Sequence, residues 1–261
     1  YLLAPLIFKE LGAKVVKLGV EPDGLNINAG CGALHPEHAG RVVREQGADL
    51  GISFDGDADR VIFTDETGVS VSGDRILPLC ALALMEEGKL RGATMACTVM
   101  SNLGLHEALR TAGIAVLTTA VGDRHVIESL RAGGYSFGGE NSGHLIFADH
   151  ATTGDGILSA LQVLRIMKRR GQPLSVLAQV MREYPQSLVN LKVRAKPPLE
   201  SLPRLQATLR EADAQFGDLG RHLIRYSGTE HKVRIRVEHR DADVVDAWST
   251  RLRRVIEQEL A

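Results

Sequence analysis

The sequence predicts an α/β protein with a smaller α+β region toward its C-terminal end. Three observations carry that reading. Strand-like and helix-like segments alternate to about residue 170, as they do where helices cover a largely parallel sheet. Every helical segment before the last ends on glycine, which takes positive φ without a Cβ clash. After Tyr184-Pro185 strands and helices follow in a looser order, which suggests a separate small domain.

Residues 1–12 read as an amphipathic helix with Leu3, Leu6, Ile7 and Leu11 at helical spacing and Gly12 as its stop. A-K-V-V-K-L-G-V (13–20) reads as a strand. D-L-G-I-S-F (49–54) and R-V-I-F-T-D (60–65) read as two more, with an acidic loop between them. A helix is expected from Gly73 to about Glu87, stopping at Gly88. Strands at 93–100 and 114–121 alternate with helices at 105–113 and 123–134. The turn-rich stretch S-F-G-G-E-N-S-G-H-L-I-F-A-D-H (136–150) interrupts the pattern. Thr153 then precedes a long helix whose last turn, Lys168-Arg169-Arg170, suits the helix dipole before Gly171. In the last region, strands are expected at 187–195, 221–228 and 232–240. Helices are expected at 201–217 and 241–260, the latter with Val245, Trp248, Leu252 and Val255 on one face.

The composition bounds the function. At about 100–200 residues per domain, 261 residues suggest two domains. Hydrophobic residues at 44% and charged residues at 24% are ordinary for a globular protein. Lys+Arg at 31 against Asp+Glu at 32 leaves no basic surplus to displace counterions, so nucleic acid is not expected as a partner. No apolar run approaches the roughly 20 residues of a membrane span, and the N-terminus lacks a secretory pattern. Cys31, Cys80 and Cys97 form no C-x-x-C and read as reduced core thiols of a cytoplasmic protein. The chain opens at Tyr1 already inside an amphipathic pattern, from which we expect a fragment lacking its upstream part.

Three loops carry chemistry. In Asp55-Gly56-Asp57-Ala58-Asp59-Arg60 the carboxylates at alternate positions repel one another unless a cation neutralises them. Carboxylate oxygens suit Mg²⁺ or Ca²⁺. An EF-hand is excluded by Arg60 at the sixth position, where that loop needs Gly, and by strand-like flanks. Arg60 beside the acids fits a guanidinium sharing a phosphate with the metal. Gly138-Gly139-Glu140-Asn141-Ser142-Gly143-His144 offers an ionised acceptor and a hydroxyl of the kind vicinal sugar hydroxyls require, and equally reads as a decorated hairpin turn. Arg225-Tyr226-Ser227-Gly228-Thr229-Glu230, followed by Arg234, reads as an anion nest with a bidentate clamp or as a plain turn between two strands. Asp123-Arg124 after Gly122 reads as a helix N-cap or a site residue.

Together, in this order, the three loops resemble the metal, sugar-specificity and phosphate loops of the α-D-phosphohexomutase superfamily. N-I-N-A-G-C-G-A-L-H-P-E (26–37), V-G-D-R-H-V (121–126) and T-T-G-D-G-I-L-S-A-L-Q-V-L (152–164) look most like its bacterial phosphoglucosamine mutase branch. The resemblance implies phosphohexomutase-type mixed-sheet α/β domains: part of a second domain at 1–70, a third at 71–184 and a small α+β fourth at 185–261. The family's first domain carries a phosphoserine in a T-A-S-H-N-P-like motif, and no such motif occurs in these 261 residues. This chain alone is therefore expected to be inactive. Tyr226 and His231 stand where many members have Pro, and Ala58 where Gly is common.

The implied reaction interconverts glucosamine 6-phosphate and glucosamine 1-phosphate through the phosphoserine and a sugar bisphosphate. A phosphoglucomutase/phosphomannomutase, an inactive Mg²⁺- and sugar-phosphate-binding module, and a two-aspartate phosphatase are the alternatives. By the resemblance, Asp55, Asp57 and Asp59 hold one Mg²⁺ and Arg60 assists the transferring group. Glu140, Ser142 and His144 hold the sugar. Arg225, Ser227, Gly228 and Thr229 grip the phosphate, with Asp123, Arg124, Asn141 and Arg234 as further site residues. The expected partner is a phosphosugar, with neither nucleic acid nor membrane. A homodimer is compatible with the resemblance.

Overall fold

The computed structural model of the chain describes residues 1–260. They fall into two units, one of residues 1–101 and 105–182, the other of residues 102–104 with the chain from Glu183 onward.

Beside a smaller cluster of Ala96, Val126, Leu130 and Ile146, the first unit holds two sheets around one main apolar cluster. Helices α1 (Leu3–Glu10) and α2 (Pro36–Gln46) precede an antiparallel meander of β1 (Gly51–Phe54), β2 (Val61–Thr64) and β3 (Ser70–Val71). After α3 (Gly73–Glu86) come β4 (Thr94–Thr98), α4 (Leu103–Thr111), β5 (Ala115–Thr119) and α5 (Asp123–Gly133). A short hairpin of β6 (Phe137–Gly139) and β7 (Leu145–Phe147) leads to α6 (Gly156–Arg170) and α7 (Leu174–Leu177). The second sheet has the order β5-β4-β6-β7. β4 is parallel to β5 and β6, and β7 is antiparallel to β6. Phe63 of the meander and Leu77, Met95, Leu105, Phe137 and Leu145 around the second sheet lie in that cluster, all fully buried. At about 25 cal/mol per Å² of apolar surface removed from water, such a cluster is the main force holding these layers together.

The second unit is a three-stranded antiparallel sheet ordered β8-β10-β9, with β8 (Gln186–Lys192), β9 (Gly220–Tyr226) and β10 (Lys232–His239). Helices α8 (Pro203–Phe216) and α9 (Ala242–Leu260) share its apolar core. Leu205 and Phe216 of α8 and Trp248 and Leu252 of α9 cluster there with Val233, Ile235 and Val237 of the central strand.

Several expectations are corrected. Only the β5-β4-β6-β7 sheet is mixed, as the family resemblance implies; the other two are antiparallel, so the largely parallel sheet read from the strand–helix alternation is confined to β4, β5 and β6. Residues 13–20 form no strand. Val15 packs on the core while Val16 and Leu18 are exposed, and an alternating pattern becomes a strand only where another strand takes its backbone groups. Along α1 the buried side chains are Ala4 and Phe8, and Leu3, Leu6 and Leu11 are exposed. α2 has no counterpart in the sequence reading, because its buried face consists only of Ala39, Gly40 and Val43. The helix after Thr153 starts at Gly156, capped by Asp155, which accepts from the Leu158 N–H. On α9 the fourth buried apolar residue is Ile256, with Val255 only half-buried.

All three cysteines are free thiols, and Cys80 and Cys97 are buried while Cys31 is only half-buried. Burial pushes the Cys80 thiol up to about 12 against a weaker pull from Arg165, so it stays protonated and unreactive. Among the described residues no helix is long and apolar enough to cross a membrane.

Candidate functional site

The acidic loop, residues 55–60, is the β1–β2 connection, closed by Phe54 pairing with Val61. Inside it the Ala58 N–H donates to the Asp55 carbonyl at 3.3 Å and the Arg60 N–H to Asp55 Oδ1 at 3.1 Å. Ala58 itself sits at φ +61°, a left-handed turn that throws successive side chains to one side. The result is that one carboxylate oxygen each of Asp55, Asp57 and Asp59 comes within 4.8 Å of the others. Burial raises the Asp55 carboxyl above its ordinary value, and Asp59 beside it raises it further, against the Arg60 N–H and guanidinium. Arg60 Nε is 3.8 Å from both Asp55 Oδ2 and Asp59 Oδ1. Asp59 Oδ1 is buried with no hydrogen-bond partner. Three converging carboxylates carry more negative charge than the one guanidinium beside them offsets, and a buried oxygen among them accepts no hydrogen bond, so these residues fit a hard divalent cation.

The G-G-E-N-S-G-H loop is the turn between β6 and β7. The Glu140 N–H donates to the His144 carbonyl at 2.8 Å and the Gly143 N–H to the Glu140 carbonyl at 3.1 Å. The hairpin reading and the site reading are thus compatible: the turn exists, and it presents polar groups. Glu140 is buried, and its Oε1 accepts from the Gly122 N–H at 3.0 Å. Ser142 Oγ is buried without a partner, and Asn141 is half-buried. The loop also meets the acidic one. The Val61 N–H donates to the Gly143 carbonyl at 3.1 Å, and His144 Nδ1 lies 3.0 Å from Asp59 Oδ2, off the ring-nitrogen axis.

Asp123 is the first residue of α5 rather than its N-cap, a place Gly122 takes with φ +123°. Arg124 is exposed and pairs with Glu128 one turn on at 2.8 Å. Sequence reasoning did not find residues 148–153. With Asp57 and Asp59 they line a cavity of about 870 Å³, to which they contribute His150, Thr152 and Thr153. Nothing in their spacing signals this, since 148–150 read as the end of a turn-rich stretch and 152–153 as the approach to a helix.

In the second unit, R-Y-S-G-T-E turns β9 into β10. The Ser227 N–H donates to the Lys232 carbonyl at 2.8 Å, and Ser227 Oγ accepts from the Glu230 N–H at 3.3 Å. Gly228 and Thr229 are exposed at the tip. Tyr226, where many members of the resembled family have Pro, donates its hydroxyl to the Pro197 carbonyl at 2.8 Å. Burial, then Glu200, raises its phenol. Lys196, another residue the sequence did not single out, donates to the Ser227 carbonyl at 2.6 Å. Arg225 and Arg234 are directly opposed on the ladder, and Arg234 Nε is buried without a partner. Like charges facing each other across a sheet are unfavourable, and an anion between them reverses the sign.

Models of the phosphoglucomutase/phosphomannomutase family match in succession: alpha/beta/alpha domain II over residues 2–68, alpha/beta/alpha domain III over 72–184 and the C-terminal domain over 188–255. The phosphoglucosamine mutase of Geotalea daltonii is 51% identical over 260 residues, and the chain spans 57% of its length. A phosphoglucomutase/phosphomannomutase family protein from Burkholderia thailandensis superposes with a TM-score of 0.80 at 26% identity, over 98% of this chain and 57% of that one. The N-acetylphosphoglucosamine mutase of Aspergillus fumigatus, solved with GlcNAc-6P and magnesium, gives a TM-score of 0.70 at 23% identity, over 91% of this chain and 58% of that one.

Proposed function

The chain belongs to the phosphoglucomutase/phosphomannomutase family, and from that premise we propose that it is the metal-, sugar- and phosphate-handling portion of a phosphoglucosamine mutase. The whole protein would interconvert glucosamine 6-phosphate and glucosamine 1-phosphate in the cytoplasm. Residues 1–70, 71–184 and 185–261 would be part of its second domain, its third and its fourth. The serine that gives up and takes back the phosphoryl group would lie outside these residues. The observation that carries the reading is the pairing, in one chain, of a converging tri-aspartate loop with an opposed arginine pair.

Asp55, Asp57 and Asp59 would hold one Mg²⁺, which when bound supplies Lewis-acid stabilisation to the transferring phosphoryl group. Phosphoryl transfer asks a protein mainly for positioning and charge. Arg60, held by Asp55 and Asp59, would place its guanidinium against the same group. Glu140 would accept from sugar hydroxyls through the oxygen that Gly122 does not occupy, with the Ser142 hydroxyl beside it. Asn141 and His144 would complete that wall, and Asp123 and Arg124 would stand at its margin. Arg225, Ser227, Gly228, Thr229 and Arg234 would grip the phosphate that is not being transferred. A sugar bisphosphate would serve as intermediate and activator, each of its phosphates being transferred once.

The test is competitive turnover by the full-length protein carrying this chain. Glucosamine 6-phosphate, glucose 6-phosphate and mannose 6-phosphate would be offered with Mg²⁺ and a hexose bisphosphate primer. A preference for glucosamine 6-phosphate supports the reading. A preference for either hexose phosphate moves it to a phosphoglucomutase/phosphomannomutase.

A further inference from the structure

The T-T-G-D-G stretch, residues 152–156, belongs to none of the three loops, yet the acidic loop rests on it. The Gly156 N–H donates to the Ala58 carbonyl at 2.8 Å. A Cβ on Gly156 would stand 2.8 Å from the Arg60 carbonyl oxygen and 2.9 Å from that of Ala58. The first residue of α6 can therefore lie against the acidic loop only as glycine. Asp155 fixes this end of the helix by accepting from the Leu158 N–H at 2.9 Å.

Gly154 faces a different group. A Cβ there would stand 2.4 Å from both Cε1 and Nε2 of His144. That imidazole is 1% exposed. Its other nitrogen, Nδ1, is the atom 3.0 Å from Asp59 Oδ2. Gly154, His144 and Asp59 thus form a stack in which the absence of one side chain sets the place of the next.

We propose that Gly154 is a positioning residue for the cation site: the space it leaves seats His144 against Asp59, and His144 in turn aims the Asp59 carboxylate at the ion. This rests on residues 55–60 being the divalent-cation site. Groups that orient a metal ligand typically alter affinity about 10–100-fold when changed, whereas a glycine that merely packs alters stability and leaves the ligands alone.

The experiment titrates Mn²⁺ into the full-length protein carrying this chain by electron paramagnetic resonance, for the parent, Asp57→Asn, Gly154→Ala, His144→Ala and the Gly154→Ala/His144→Ala pair. Circular dichroism of each without metal establishes the fold. The expected result is a loss of about tenfold or more for Gly154→Ala and for His144→Ala. The pair should lose no more than His144→Ala alone, because Gly154 acts only through the ring. If Gly154→Ala does not fold, His144→Ala decides: unchanged Mn²⁺ affinity overturns the proposal. Full additivity in the pair overturns it too, by showing that Gly154 does not act through His144. If the parent binds Mn²⁺ and Asp57→Asn loses it while Gly154→Ala matches the parent, the positioning role fails and the cation site stands. If the parent does not bind, or Asp57→Asn binds equally well, the cation site itself fails and the proposal with it.

Discussion

Arg225 on β9 stands directly opposite Arg234 on β10, the two Cα atoms being ladder partners at the mouth of the R-Y-S-G-T-E turn. Two guanidiniums in that register repel each other until an anion sits between them. Arg225→Ala is expected to weaken binding of glucosamine 6-phosphate, measured by calorimetry, by about 10–100-fold, the worth of a charge-assisted hydrogen bond or two. Mn²⁺ binding should stay within about twofold of the parent, since the acidic loop contains neither arginine. Equal loss of metal in that variant would contradict separate sites.

The raised Asp55 carboxyl has a consequence for the metal-free protein. A carboxyl whose value in the folded chain exceeds its unfolded value of 3.8 favours the native state only when protonated. The penalty is absent well below pH 3.8, builds through the interval up to the raised value, and is full at pH 7. Asp55→Asn should therefore raise the Tm of metal-free protein at pH 7, with the difference vanishing at low pH. Excess Mn²⁺ should reverse the order, because only the parent gains binding energy from the ion.

Ala58 holds a left-handed backbone at φ +61°, which costs a residue with a Cβ about 1–2 kcal/mol. Glycine removes that strain but gives back about 0.4–1 kcal/mol through the freer unfolded chain. Ala58→Gly should accordingly leave stability level or raise it by up to about 1.6 kcal/mol in urea unfolding. Mn²⁺ affinity should not change, since no carboxylate is touched.

Glu87, after the last turn of α3, gathers Arg165 and Lys89, at 2.7 and 2.9 Å, and Arg169. Burial acts to raise its carboxyl, but the hydrogen bonds from Arg165 and Lys89 outweigh it and bring it down to about 2. A lowered carboxyl contributes stability above its unfolded value of 4.5 and loses it as pH falls toward about 2. Glu87→Gln should cost about 1–3 kcal/mol at pH 7, with the deficit shrinking between pH 4.5 and about 2 as measured by chemical denaturation.

The sequence made legible what is local. The acidic loop, the G-G-E-N-S-G-H turn and the R-Y-S-G-T-E turn are each contiguous, and the strands flanking them have clear apolar patterns. Helices α3, α5, α6, α8 and α9 were legible for the same reason, from periodicity and glycine stops. What stayed hidden depends on partners far along the chain. Residues 13–20 carry a strand pattern and make no strand. His144 against Asp59, Gly122 on Glu140, Lys196 at Ser227 and the register that opposes Arg225 to Arg234 all join residues that no local pattern relates. The T-T-G-D-G stretch reads as a helix start because its two glycines are defined by what lies against them, not by what flanks them.

The most direct measurement is ³¹P NMR of the full-length protein carrying this chain, incubated with glucosamine 6-phosphate, Mg²⁺ and a hexose bisphosphate primer. Growth of the glucosamine 1-phosphate resonance to a constant ratio, without accumulation of inorganic phosphate, is the predicted result. Release of inorganic phosphate with no 1-phosphate would contradict it, and would make the acidic loop the seat of a phosphatase rather than a mutase.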